Sequence, residues 1–176
     1  MNKKLQTLFN SLESQCLSVL GLIESLSVEK INNHPEGKWS IAQILSHLIA
    51  SEQLSVRYLN KKILGIKDAA DTGLTEEIKM IALIISQRLP FLKFKAPTVV
   101  VENTPPLESM EQLVATWAKT RSDLKETLEK FQNDQLKRKI YKHPFAGMLN
   151  IQQALKFFGE HIIHHRPQIK KLLRGK

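Results

Sequence analysis

The sequence predicts an all-α fold, a four-helix bundle with a long crossover that contains a short extra helix between helices 2 and 3. Three observations lead to this prediction. Apolar residues recur at steps of 3 and 4, capping signals precede three of the long apolar stripes, and four prolines separate the second stripe from the third. The 176 residues fit a single domain, 1–176, which is long enough to bury a sizeable core.

The first two helices are predicted from their apolar stripes and their end signals. The first stripe covers residues 5–26, and the turn-forming residues 32–37 end the helix. The second helix begins sharply at Ser40, whose hydroxyl can cap free backbone N–H groups while Gln43 completes a capping box. We expect this helix to continue to about Lys62.

The crossover between the second and third long helices is the least regular part of the sequence. Thr75 is a candidate N-cap that is followed by two acidic residues. This start signal predicts a short helix to about Arg88. Residues 98–101 are β-like but lie between prolines, which indicates an extended connection over the surface and not a sheet. The prolines of this segment are Pro90, Pro97, Pro105 and Pro106.

The last two long helices also begin at capping residues. Ser109 opens a third helix whose apolar stripe ends near Phe131. A loop through residues 143–147 follows. Asn150 and Gln153 then open the final helix, which carries the last apolar stripe of the chain.

The basic excess of the chain is its most prominent compositional feature. Lys and Arg number 26 against 17 Asp and Glu, a net charge of +9, yet aromatic residues are only 6% and no known nucleic-acid motif accompanies the charge. Solvated side chains at 137–142 and on the final helix explain much of it. Nucleic-acid binding is therefore only a third hypothesis, which predicts an affinity that falls steeply with salt.

Cysteine usage and hydropathy indicate the compartment. Cys16 is the single cysteine, which excludes an intramolecular disulfide and a cysteine-based zinc site, and its place in the first stripe predicts a buried thiol. The longest apolar run, residues 80–85, is far too short to span a bilayer, and no signal-peptide stretch follows the start. We therefore expect a cytoplasmic protein that does not contact a membrane.

The histidines are the main candidates for function. His161 and His165 are four residues apart on the final helix, so they lie about 6 Å along its axis and about 40° around it. Two imidazoles on adjacent turns of one face can share a metal ion, and His47 on the second helix is a natural third ligand. Spacing alone leaves the alternative open that these are ordinary helix histidines with polar partners.

Three segments together resemble the DinB-like superfamily, a group of small metal-binding four-helix bundles. They are residues 39–48, which include Trp39 and His47, residues 143–149, and the pattern that joins His161, His165 and Gln168. The resemblance covers essentially the whole chain. It implies that three histidines hold zinc, nickel or iron at one end of the bundle, namely His47, His161 and His165. It also makes a homodimer plausible.

Other residues have both functional and structural interpretations. Glu52 falls on an inward side of the second helix, where it could act as a general base or orient a ligand histidine, or simply pair with a Lys or Arg at the bundle edge. Gln168 could orient substrate or tie two helices, and His164 could support the metal site or be a partly exposed polar residue. His143 is interpreted as a structural loop residue that could also line the site mouth. The sequence does not decide whether Pro167 kinks the final helix.

Characterised members of the DinB-like superfamily, which this sequence resembles, include thiol-dependent S-transferases. The leading hypothesis is accordingly a cytoplasmic, metal-dependent S-transferase that takes a low-molecular-weight thiol and a small-molecule substrate. A hydrolase that uses the same three histidines is a further alternative. A binding or stress-response module with a structural or idle metal site is the second hypothesis.

Overall fold

The computed structural model describes residues 1–35, 38–89 and 109–174. Its helices are α1 (Lys3–Leu20), α2 (Val28–Asn32), α3 (Ile41–Lys62), α4 (Leu74–Arg88), α5 (Met110–Glu129) and α6 (Ile151–Leu173). Short 3-10 helices cover Ile63–Asp68 and Asn133–Gln135. An antiparallel hairpin pairs β1 (Tyr141–His143) with β2 (Gly147–Leu149).

The long helices α1, α3, α5 and α6 form the bundle, which confirms the predicted all-α fold. Helix α1 lies along α6, α3 packs against α5 and also contacts α6, and α4 packs on α6. The facing sides of these helices share one hydrophobic core. Its largest fully buried side chains include Leu5, Leu12, Ile44, Leu45, Leu59, Trp117, Leu124 and Leu128.

Capping boxes fix the start of α3 and α6, as the sequence predicts. The Ser40 hydroxyl accepts from the Gln43 N–H at 3.1 Å, and the Gln43 side chain accepts from the Ser40 N–H at 2.8 Å. Asn150 and Gln153 form the same reciprocal pair at 2.9 and 3.0 Å. Because a capping box satisfies two free donors at once, both helices have a defined first turn.

Two predicted helix boundaries are wrong, namely the end of the first helix and the start of the short helix in the crossover. The first helix ends at Leu20 and does not continue to the turn-forming residues 32–37: Ile23 reaches the core from a turn, and the short helix α2 buries Ile31 separately. Helix α4 is capped at Gly73 and not at Thr75. The Gly73 N–H donates to the Glu76 carboxylate at 2.8 Å, which explains the earlier start.

The loop predicted at 143–147 is confirmed at residues 144–146, which form the turn of the hairpin, whereas His143 and Gly147 lie in its strands. Tyr141 pairs with Leu149, and the Ile140 N–H donates to the Leu149 carbonyl at 2.9 Å. Both paired side chains are buried against the bundle, so tertiary packing decides the conformation of these short strands.

The predicted cap of the third long helix is confirmed, because the Ser109 hydroxyl accepts from the Gln112 N–H at 3.0 Å at the start of α5. The predicted extended connection, with residues 98–101 and all four prolines, lies outside the described residues, as do residues 36–37 of the predicted turn.

Two features of α6 determine how it lies in the bundle. A Cβ atom added at Gly159 would lie 2.6 Å from Oε1 of Gln15, so this glycine permits the close approach of α1. The helix continues through Pro167 to Leu173, so the proline does not end it.

Among the helices of the described ranges, none has the length and apolarity needed to cross a membrane.

Gly147 is expected to contribute to stability through its backbone conformation alone. Its φ of +76° is in the left-handed region, where a Cβ atom is strained. We expect Gly147→Ala to lower the free energy of unfolding by about 1 kcal/mol. Urea denaturation measures this change. Gly65→Ala is the matched control, because its φ is −109° and a Cβ atom there meets open space. Equal losses in both variants would contradict the prediction.

Candidate metal centre

Three imidazoles from two helices converge between α3 and α6. His47 lies near the start of α3, and His161 and His165 occupy adjacent turns of α6. The Nε2 atom of His161 lies 3.1 Å from Nε2 of His47 and 3.2 Å from Nε2 of His165. One ring nitrogen from each residue lies within 4.8 Å of the others. The structure therefore brings together the three histidines that the sequence singles out.

The spacing of these nitrogens allows all three to bind one shared metal ion. Zinc–nitrogen bonds of about 2.05 Å at tetrahedral angles place two ligand nitrogens about 3.3 Å apart. His165 has its ring proton on Nδ1, where the Gln168 Oε1 accepts it at 3.1 Å, so its Nε2 presents a lone pair to His161. A lone pair directed at a shared cation is favourable at this distance. The donor set thus fits a divalent ion.

The environment keeps the three rings neutral. Burial lowers the pKa of His47 to about 4, with a smaller contribution from His164. Burial also lowers the pKa of His165 to about 3 and, together with the neighbouring histidines, holds the pKa of His161 well below its usual range. Only a neutral imidazole offers a lone pair to a metal. At neutral pH the cluster is therefore in the form that binds a cation.

Aromatic rings pack against two of the three histidines. Phe157 stacks on His161 with ring centroids 5.7 Å apart and an interplanar angle of 11°. Trp39 meets His47 edge-on, with centroids 5.1 Å apart. Its side chain remains 39% exposed. Trp39 directly precedes the Ser40 cap of α3 and lies beside the candidate site.

His164 and Gln168 contribute to the site without joining the cluster. Gln168 is exposed and bonds His165 one turn back on the same helix, so it orients a ring and does not tie two helices. His164 is half-buried, and its Nδ1–H donates to the Gln87 carbonyl at 2.7 Å. This bond joins α4 to α6 directly beside His165.

His143 is buried at the end of β1 and supports the site indirectly. Its Nδ1 accepts hydrogen bonds from the backbone N–H groups of Phe145 and Ala146, at 3.2 and 3.1 Å. Its ring packs against Phe157 with centroids 4.4 Å apart. The structural interpretation of this residue therefore describes its contacts well, although it lies in a strand and not in a loop.

Protonation of His143 is expected to destabilise the fold in acid. Burial lowers its pKa to about 4. Between pH 6.5 and 4 the unfolded chain binds this proton more strongly than the folded protein, so stability falls as the pH falls. We expect wild type to lose about 2 kcal/mol more than His143→Asn between pH 7 and pH 5. Urea denaturation in the presence of a chelator measures the difference, and parallel losses in the two proteins would contradict it.

Glu52 lies beside the cluster but has partners of its own. Its Oε2 accepts from the Trp117 indole N–H at 3.1 Å, and its Oε1 lies 2.9 Å from Nη1 of Arg121. Burial raises the pKa of this carboxyl, while Arg121 and Trp117 oppose the rise. The structure therefore contains the ion pair that was the second interpretation of Glu52. Its partner Arg121 is buried, however, and does not lie at the bundle edge.

Sequence reasoning missed the importance of Arg121. Its guanidinium also lies 3.2 Å from the Glu13 carboxylate, so one buried cation faces two acids. Arg121 follows Trp117 by one helical turn on the inward side of α5, and this position was the available signal. The buried Cys16 lies near the same guanidinium, and burial raises the pKa of its thiol to about 12. The predicted burial of this cysteine is confirmed.

Fold and site together define a small helical bundle with a candidate three-histidine metal centre. The family model of the DinB superfamily matches residues 17–169. The chain therefore belongs to the DinB superfamily, as its motifs indicate.

One solved structure with a similar fold is YfiT from Bacillus subtilis, described as a probable metal-dependent hydrolase with an unusual four-helix bundle topology. The two are 15% identical with a TM-score of 0.60, and the match covers 99% of this chain and 89% of that one. At this identity the likeness concerns the fold alone. Comparison with curated proteins gives no significant match.

Proposed function

We propose that the protein is a divalent-metal-dependent enzyme of the small-thiol S-transferase type, with His47, His161 and His165 as the metal ligands. The observation that carries the proposal is the convergence of three neutral imidazoles, one of them half-buried, at 3.1 and 3.2 Å. Three protein ligands are typical of catalytic metal sites, whereas structural sites have four.

The chain's own residues prepare the site in two ways. Gln168 holds the ring of His165 in the tautomer whose Nε2 faces the cluster. Trp39 and Phe157 form apolar walls that exclude water from part of the surroundings. A bound zinc, nickel or iron ion supplies the Lewis acidity that lowers the pKa of a thiol.

The pairing of nearby carboxylates favours a thiol as the nucleophile. Within the described ranges, Glu52 is engaged by Arg121 and Trp117, and Glu160 forms a two-bond ion pair with Arg88 at 2.6 and 2.8 Å. Activation of water commonly uses a free general base. A thiol, with a pKa near 8.5 against 15.7 for water, needs no such base.

A metal-dependent hydrolase is the second candidate. The observation that favours it is the shared fold with YfiT, which is described as a probable metal-dependent hydrolase. Both reactions use the same three histidines, so variants of these residues do not separate the two candidates. The dependence on added thiol does separate them.

The test compares thiol-dependent and thiol-independent turnover. Wild type loaded with zinc or nickel is incubated with small thiols and an electrophilic haloaromatic compound, and separately with activated esters and amides. We expect loss of free thiol with wild type and none above background with His165→Ala. Ester or amide cleavage that needs no thiol would instead support the hydrolase. Neither activity in a protein that retains its metal would indicate a non-catalytic module.

A further inference from the structure

One oxygen of the Glu52 carboxylate is ion-paired with Arg121 but accepts no aligned hydrogen bond from the described residues. Glu52 as a whole residue is 6% exposed. Oε2 is hydrogen-bonded to Trp117, but the Arg121 contact to Oε1 lacks hydrogen-bond alignment. Within residues 1–35, 38–89 and 109–174, Oε1 is thus a buried acceptor with no hydrogen-bond partner. Such an atom is costly unless a further donor reaches it.

The second ring nitrogen of His161 has no hydrogen-bond partner among the described residues. Its Nε2 faces both His47 and His165, which leaves Nδ1 as the other polar atom of the ring. For the part of the chain that the structure describes, no hydrogen bond to this Nδ1 is found. Ligand histidines usually donate their second ring N–H to an oxygen atom, which fixes the tautomer and the orientation of the ring.

A small cavity is lined by both side chains. Its volume is about 10 Å³, and its lining consists of Leu48, Ser51, Glu52, Phe158, His161 and Ile162. This volume corresponds to about one water molecule, and a buried water needs two to four polar partners. Ser51, Glu52 and His161 supply polar groups, while the other three side chains confine the space.

We propose that one water molecule in this cavity accepts from Nδ1–H of His161 and donates to Oε1 of Glu52. Glu52 is then a positioning residue that acts on the central histidine of the cluster through the water. Trp117 and Arg121 hold the carboxylate in place. The inference rests on the proposed metal site, because the fixed tautomer leaves Nε2 of His161 available to the ion. It assigns Glu52 no contact with substrate.

The test measures zinc affinity by competition with a chelator in the full-length chain. Removal of an outer partner of a ligand histidine typically weakens binding by 10–100-fold, and we expect a loss of about this size for Glu52→Leu. Glu52→Gln should recover part of the affinity, because its amide oxygen accepts a hydrogen bond. Glu13→Leu is the matched control: it removes the other acid beside Arg121 but lies outside the cavity lining. Its affinity should stay within about twofold of wild type.

A second measurement does not depend on bound metal. Nitrogen-15 NMR of the metal-free protein at pH 7 reports the tautomer of His161, which we expect to be Nδ1–H in wild type and a mixture in Glu52→Leu. If Glu52→Leu does not fold, Ser51→Val fills the cavity with the ion pair intact and should give the same two changes.

The outcomes separate the two proposals. Zinc affinity in Glu52→Leu within about twofold of wild type, or an equal loss in Glu13→Leu, would overturn the water link while leaving the metal site intact. Wild type that binds no zinc or nickel would refute the metal site. The tautomer of His161 would then still decide whether the water link exists.

Discussion

His47→Ala and His165→Ala are each expected to abolish stoichiometric metal binding. Wild type purified without an affinity tag should contain about one divalent ion per chain, and either variant should contain only background metal. The physical reason is the geometry of the cluster, in which each ring contributes one inward nitrogen. Loss of a direct ligand should exceed the roughly 10–100-fold penalty for loss of an outer partner. Elemental analysis measures the result.

His164→Ala is the matched control for the metal variants. It removes an imidazole from the same helix, next to His165, but this ring bonds the Gln87 carbonyl and does not belong to the cluster. The control should retain its metal. Retention of stoichiometric metal in both His47→Ala and His165→Ala would refute the ligand set, as would a loss confined to His164→Ala.

Arg121→Ala is expected to cause a large loss of stability. Arg121 is 4% exposed and is placed between the carboxylates of Glu52 and Glu13. Its removal leaves the buried Glu52 without a countercharge, so we expect the free energy of unfolding to fall by about 3–5 kcal/mol. Urea denaturation monitored by circular dichroism measures this loss.

Two further variants test the cause of that loss. Lys119→Ala removes an exposed lysine of the same helix that pairs with Asp123, and it should cost far less stability than Arg121→Ala because solvent screens this pair. The double variant Arg121→Met/Glu52→Leu removes both buried charges and should be more stable than Arg121→Ala. Similar losses for Lys119→Ala and Arg121→Ala would show that burial of the charge is not the cause.

The fold was predictable where local signals and packing agree. The caps at Ser40 and Asn150 and the apolar stripes behind them define α3 and α6 in the sequence as they do in the structure. The hairpin was not predictable, because three-residue strands such as Tyr141–His143 are too short for a clear alternation. The end of α1 was missed because Ile23 continues the apolar stripe from a turn.

The candidate site was likewise predictable from the sequence only in part. Helical spacing places His161 and His165 together, but only the packing of α3 on α6 brings His47 to 3.1 Å from His161. The environment of Glu52 could not be read from the sequence, because its partner Arg121 comes from another helix, 69 positions later in the chain. Contacts between distant segments depend on the complete fold.

The histidine cluster joins parts of the chain that are far apart in sequence. His47 and His161 are separated by 114 positions. An ion held by both would close a loop of that length in the folded chain only, and it would therefore stabilise the protein by mass action. In a cell short of the metal, a larger share of molecules would unfold and be degraded. The abundance of this protein would then follow the supply of its metal.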